Sequence, residues 1–98
     1  MSGPYHRLID PPDLIEKIAS SGELHGAPAR NIFASDFPKV KAYRGPLPEG
    51  QKGFEFETDV EPDYGCPPDQ AFWSNGRPGV TIEGNYAKIE VRVRKIVK

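Results

Sequence analysis

Two rhythms of apolar residues run along the chain, and each predicts a different kind of element. The stretch Gly53-Phe54-Glu55-Phe56-Glu57-Thr58 alternates strictly, with Phe54, Phe56 and Thr58 on one face and the glutamates on the other, which predicts a half-buried strand. Gly79 to Glu83 repeats the pattern, Val80 and Ile82 opposing Thr81 and Glu83. Gly84-Asn85 reads as a turn, and Ala87 to Val97 as the longest strand, with Ile89, Val91 and Val93 on one side and Lys88, Glu90, Arg92 and Arg94 on the other. The spacing predicts a hairpin across Gly84-Asn85. Tyr5 to Ile9 predicts a short first strand.

The helical rhythm is carried by Leu14, Ile15 and Ile18. Asp10 before Pro11-Pro12-Asp13 reads as an N-cap followed by prolines where a missing N–H costs nothing, and Gly22 as the terminating glycine. Asn31 to Ala34 predicts a brief strand, and Ser35 or Asp36 a cap for a second short helix through Tyr43, closed by Gly45. From Pro62 to Pro78, a proline-rich stretch carrying Tyr64, Phe72 and Trp73 predicts a long ordered loop. The sum is α+β: an antiparallel or mixed sheet, one or two short helices and long ordered loops.

Composition sharpens this picture. A chain of 98 residues, 37% apolar and 28% charged, makes a single domain, residues 1–98, with a modest core. Ten glycines and eleven prolines predict shaped loops. The formal net charge of −1 removes the bulk basic field that drives nucleic-acid binding. Charge is nevertheless segregated: Lys88, Arg92, Arg94, Lys95 and Lys98 crowd one end, while Glu55, Glu57, Asp59, Glu61 and Asp63 crowd the middle. Antiparallel pairing of the two segments would neutralise both. Cys66 is the only cysteine, so no internal disulfide forms. His6 and His25 have no partner at metal-ligand spacing, so no metal is expected. No apolar run approaches membrane-spanning length and nothing at the N-terminus reads as a signal peptide.

No phosphate-binding loop, dinucleotide fingerprint, zinc-protease motif, nucleophile elbow or CxxC occurs. The candidate chemistry is a constellation: the basic pair His6-Arg7 on the first strand, Phe33-Ala34-Ser35-Asp36-Phe37 after the helix, Trp73 in the long loop, and Glu83 at a strand end.

Three segments resemble the ADP-ribosyltransferase class of C-terminal toxin domains from bacterial polymorphic effectors, the Rhs-type and contact-dependent systems. They are Tyr5-His6-Arg7 with the helix ending Ser20-Ser21-Gly22-Glu23-Leu24, the block Gly53 to Pro62, and Gly79 to Ile89. The resemblance implies a small split sheet with NAD in the cleft. Within it, Glu83, Arg7 and His6 are the catalytic candidates, and Arg7, Tyr5, Phe33, Ser35, Tyr43 and Trp73 the NAD-binding ones. The late glutamate would stabilise the oxocarbenium-like transition state. It also implies a domain delivered by a larger effector into the cytoplasm of a recipient cell. The domain there would be monomeric, without a membrane partner, and its target a protein, such as a translation component, or RNA. A cognate immunity protein would cover the cleft mouth.

Three other readings fit the same residues. A metal-independent ribonuclease would use His6, His25, Lys88 and Arg92. An NAD glycohydrolase needs nearly the same cleft. A non-catalytic module would present Tyr64, Phe72 and Trp73 as an aromatic anchor.

Overall fold

A computed structural model describes residues 2–9, 11–26, 39–63, 69–74, 76–84 and 86–98. In chain order these form β1 (Ser2–Leu8), α1 (Pro12–Ser21), β2 (Glu23–His25), β3 (Lys39–Arg44), β4 (Gly53–Thr58), β5 (Gln70–Ser74), β6 (Thr81–Glu83), β7 (Tyr86–Glu90) and β8 (Arg92–Val97). Two antiparallel sheets result, one in the order β5-β3-β1-β4-β8 and one in the order β2-β7-β6. The domain is therefore α+β, with a sheet split in two. Its radius of gyration, 12.8 Å, is that of one folded unit of this length. No described helix is long and apolar enough to cross a membrane.

The alternation read at β4 holds. Phe54, Phe56 and Thr58 are fully buried, and Glu55 and Glu57 turn outward. Around them sit Tyr5, Trp73, Val40, Ala42 and Ala71 from the same sheet, Leu24, Ala87 and Ile89 from the smaller one, and Ile15 and Ile18 from the helix. The aromatic contacts are specific: Tyr5 meets Trp73 edge-on at 5.1 Å, and Phe56 lies 5.7 Å from Tyr5. α1 buries Ile15 and Ile18 as expected, but Leu14 is exposed; the helix ends at Gly22, whose left-handed φ of 70° lets its N–H reach the Ile18 carbonyl at 2.9 Å.

Several expectations are corrected. Residues 39–44 form strand β3, not the end of a second helix; Val40 and Ala42 point inward while Lys39, Lys41 and Tyr43 point out. The expected loop from Pro62 to Pro78 contains β5, where Ala71 and Trp73 are buried against β3. The helix starts on Pro11 with no side-chain cap, and Asp10 lies outside the described residues. So do the expected strand at Asn31–Ala34 and the turn residue Asn85. The hairpin across Gly84 is present, with Glu83 opposite Tyr86.

The long final strand is in fact two. β7 belongs to the small sheet and β8 to the large one, and the chain changes sheets at Val91. Three hydrogen bonds hold the crossing. The Val91 N–H donates to the Gly22 carbonyl at 2.8 Å, the Thr58 hydroxyl donates to the Glu90 carbonyl at 2.7 Å, and the Val60 N–H donates to the same hydroxyl at 3.2 Å. A buried backbone group without a partner would be costly there, so these bonds make the crossing possible. Beyond it, Arg94 is an extra residue between the Phe56–Val93 and Glu55–Lys95 pairs, a bulge that sets Ile96 opposite Phe54.

Thr58→Val keeps the volume but strands the Glu90 carbonyl and the Val60 N–H. It should cost about 1–3 kcal/mol in urea unfolding, well beyond what a neutral exchange at a buried site would show. A loss near zero would mean that Thr58 does not hold the crossing.

Candidate functional site

Successive side chains of a strand leave on opposite faces, and this separates the basic pair at the end of β1. Tyr5 points into the core. His6 points out, buried beneath Tyr43, with its ring stacked at 5.4 Å and its Nδ1 2.9 Å from the Gly45 carbonyl oxygen. Arg7 returns to the inner side. β1 and β3 are paired at Tyr5–Arg44 and His6–Tyr43. Past that point a gap opens beside Arg7.

Two clefts meet at this arginine. One, of about 260 Å³, lies against β3 and is lined by Leu8, Lys41, Ala42, Tyr43 and Gln70. The other, of about 420 Å³, lies between β1, α1 and β2. Its apolar floor is Ile9, Leu14 and Ile18, and Lys17 and His25 stand among its polar lining. The smaller sheet is held close to β3 here: the Gly26 N–H donates to the Ala87 carbonyl at 2.8 Å, and a Cβ on Gly26 would overlap the Lys39 carbonyl.

Arg7 is half-buried, and burial draws its pKa below the ordinary arginine value. Its Nη1 donates to the His25 carbonyl at 3.1 Å. Among the described residues no carboxylate lies within ion-pair distance of it, although Arg77, Lys88, Arg92, Arg94 and Lys98 all have such partners. The segregated charges do neutralise one another across β4 and β8: Arg92 pairs with Glu57 and Asp59, and Arg94 with Glu57.

Glu83 stands on the outer face of the small sheet. Its Oε1 lies 2.9 Å from Lys88 Nζ and its Oε2 3.6 Å from His25 Nε2. Lys88 also reaches Glu23 at 2.6 Å. The Lys88 ammonium, and then His25, hold the Glu83 carboxyl below the usual carboxylate range, while Glu23 and Glu83 push Lys88 up to about 12. Arg7 and Glu83 thus meet through one residue, His25, the first at its carbonyl and the second at its imidazole.

The candidate set is divided by these placements. Arg7 and Tyr43 line the smaller cleft together, whereas Glu83 lines neither cleft and approaches the larger one only through His25. Tyr5 and Trp73 are core residues; Trp73 is fully buried and its indole N–H donates to the Val60 carbonyl at 2.8 Å. His6 lies on the large sheet and His25 on the small one, so the two histidines do not form an acid–base pair. Phe33 and Ser35 lie outside the described residues, as do Tyr64 and Cys66. Among the described residues no three His, Cys, Asp or Glu side chains are placed to hold a metal ion. His25 as the link, with Lys17 beside it, was not apparent from sequence. β2 is three residues long, too short for periodicity to reveal.

Because Lys88 is the main cause of the Glu83 shift, Lys88→Met should move the Glu83 titration upward, toward that of a free glutamate. Carbon-detected NMR of the side-chain carboxyl measures this directly; an unchanged midpoint would show that Lys88 does not set it. No protein-family model, curated protein or solved structure matches the chain, so the functional reading rests on its own residues.

Proposed function

We propose that this domain transfers ADP-ribose from NAD to a macromolecule of a recipient cell, as the toxic tip of a larger effector. The observation that carries the reading is Arg7: a half-buried guanidinium, without a described carboxylate partner, at the edge of an apolar-floored cleft of about 420 Å³. A desolvated cation left without a counter-charge is costly, and a site that keeps one is suited to an anion. The fork of an arginine matches phosphate oxygens, so the pyrophosphate of NAD is the natural partner. The apolar floor offers a place for one of its rings.

In the reaction the bond between ribose C1′ and the nicotinamide nitrogen breaks, and its electron pair leaves with nicotinamide. Positive charge develops on the ribose. A nucleophile of the acceptor then attacks C1′ and gives up its proton. Glu83, kept ionised by Lys88 and next to His25, which lines the cleft, is the carboxylate suited to offset the ribose charge. A producer cell would need an immunity protein. The cleft mouth around Arg7 and Lys17 is the surface it would cover, because the arginines of β8 already have carboxylate partners.

The reading predicts a split between two variants. With NAD labelled in the adenylate half and a cell extract, Glu83→Gln should lower turnover by two or more orders of magnitude with little change in KM. Arg7→Ala should raise KM at least ten-fold. Nicotinamide release without label transfer would indicate hydrolysis instead. NAD left intact by the wild-type domain contradicts the proposal.

A further inference from the structure

The outer face of β3 carries a second feature that NAD cleavage does not use. Lys39 and Lys41 alternate along the strand about 7 Å apart, while Arg44, opposite Tyr5, leaves on the other side and donates to the Gln70 carbonyl at 3.1 Å. Among the described residues neither lysine lies within ion-pair distance of a carboxylate, in contrast to the paired cations of β7 and β8. Their company is aromatic. Both lysines cap the ring of Phe72, at 5.6 and 5.8 Å, and Tyr43 stands beside them. One face of the Tyr43 ring is stacked on His6; the residue is still 40% exposed, so its other face is open. Tyr43, Lys41, Gln70 and Arg7 line the smaller cleft, on the far side of Arg7 from the proposed NAD cleft.

We propose that this face binds a single-stranded nucleic acid. A base stacks on the open side of Tyr43, successive phosphates meet Lys39 and Lys41, and the strand lies across β3 and β5. The charge row supplies attraction without sequence preference, and the flat ring supplies a platform that a base finds only when unpaired. A net charge of −1 does not oppose this: Glu23, Glu57 and Glu83 are paired with cations on other strands. Of the two carboxylates near β5, Asp63 is held by Arg77 and the Ser74 N–H, which leaves Asp69 as the acidic neighbour of this face. As the acceptor subsite for ADP-ribose this face rests on the transferase reading; as a binding face it does not.

The test is fluorescence anisotropy with a dye-labelled single-stranded oligoadenylate of about a dozen nucleotides, at several salt concentrations. Binding in the micromolar range at low salt is expected. Tyr43→Ala should weaken it about ten-fold or more, and Tyr43→Trp should retain it, which separates loss of the ring from loss of folding. Lys39→Gln with Lys41→Gln should weaken binding and lower the salt slope by about 1.4. Lys95→Gln, on the opposite edge strand, should change neither. The same sequence as DNA should bind within a few-fold, since neither contact involves the 2′-hydroxyl. No binding, binding indifferent to Tyr43 and the two lysines, or a preference for duplex overturns the proposal. Nicotinamide release is measured on the same samples: NAD cleavage without RNA binding ends this inference and leaves the transferase standing, and RNA binding without NAD cleavage does the reverse.

Discussion

The architecture depends on one change of sheet. Between Glu90 and Val91 the chain leaves the three-stranded sheet and enters the five-stranded one. Continuous pairing must stop there, and the freed backbone groups need other partners. The Thr58 hydroxyl and the carbonyl of the helix-capping Gly22 provide them. The same crossing sets α1 against both β2 and β8. The cleft beside Arg7 lies along that seam, bounded by β1, α1 and β2. A single unsplit sheet would leave no such space.

Charge follows the same division. Away from the seam the ionic groups satisfy one another, Arg77 with Asp63, Lys88 with Glu23 and Glu83, Arg92 with Glu57 and Asp59. Burial works to raise the Asp63 pKa, but hydrogen bonds from Ser74 and Arg77 outweigh it and leave the carboxyl below its ordinary value. At the seam and on the adjoining face of β3, Arg7, Lys17, Lys39 and Lys41 have no described carboxylate within ion-pair distance. Surface ion pairs add little stability one by one. Their uneven placement matters more, because it leaves cations without carboxylate partners at two adjoining clefts, the larger also lined by Glu23, in a chain of nearly zero net charge.

Much of the fold was legible where the pattern is local. The alternation of β4, the helical face of Ile15 and Ile18, and the hairpin at Gly84 depend on near neighbours alone. β3 was misread because Pro38 and Gly45 resemble helix boundaries, although Val40 and Ala42 already alternate with Lys39, Lys41 and Tyr43. β5 was hidden by the prolines around Ala71 and Trp73. The break at Val91 leaves no trace in the pattern: Ile89, Val91 and Val93 keep their alternation straight through it, and the partners that impose the crossing, Gly22 and Thr58, are remote in sequence. In the site, Arg7 and Glu83 stand out by residue type. His25 does not, because half of its role belongs to a backbone carbonyl that any residue would supply.

On the proposed function, Arg7 is the cation of a ligand site rather than a structural charge. The direct measurement is nitrogen-resolved NMR of the Arg7 Nε–Hε signal during titration with ADP-ribose. Saturable shifts of that signal, accompanied by the amides of β2 around His25, are the predicted result. An Arg7 signal that stays in place while the ligand perturbs other residues, or no saturable shift anywhere, would contradict it.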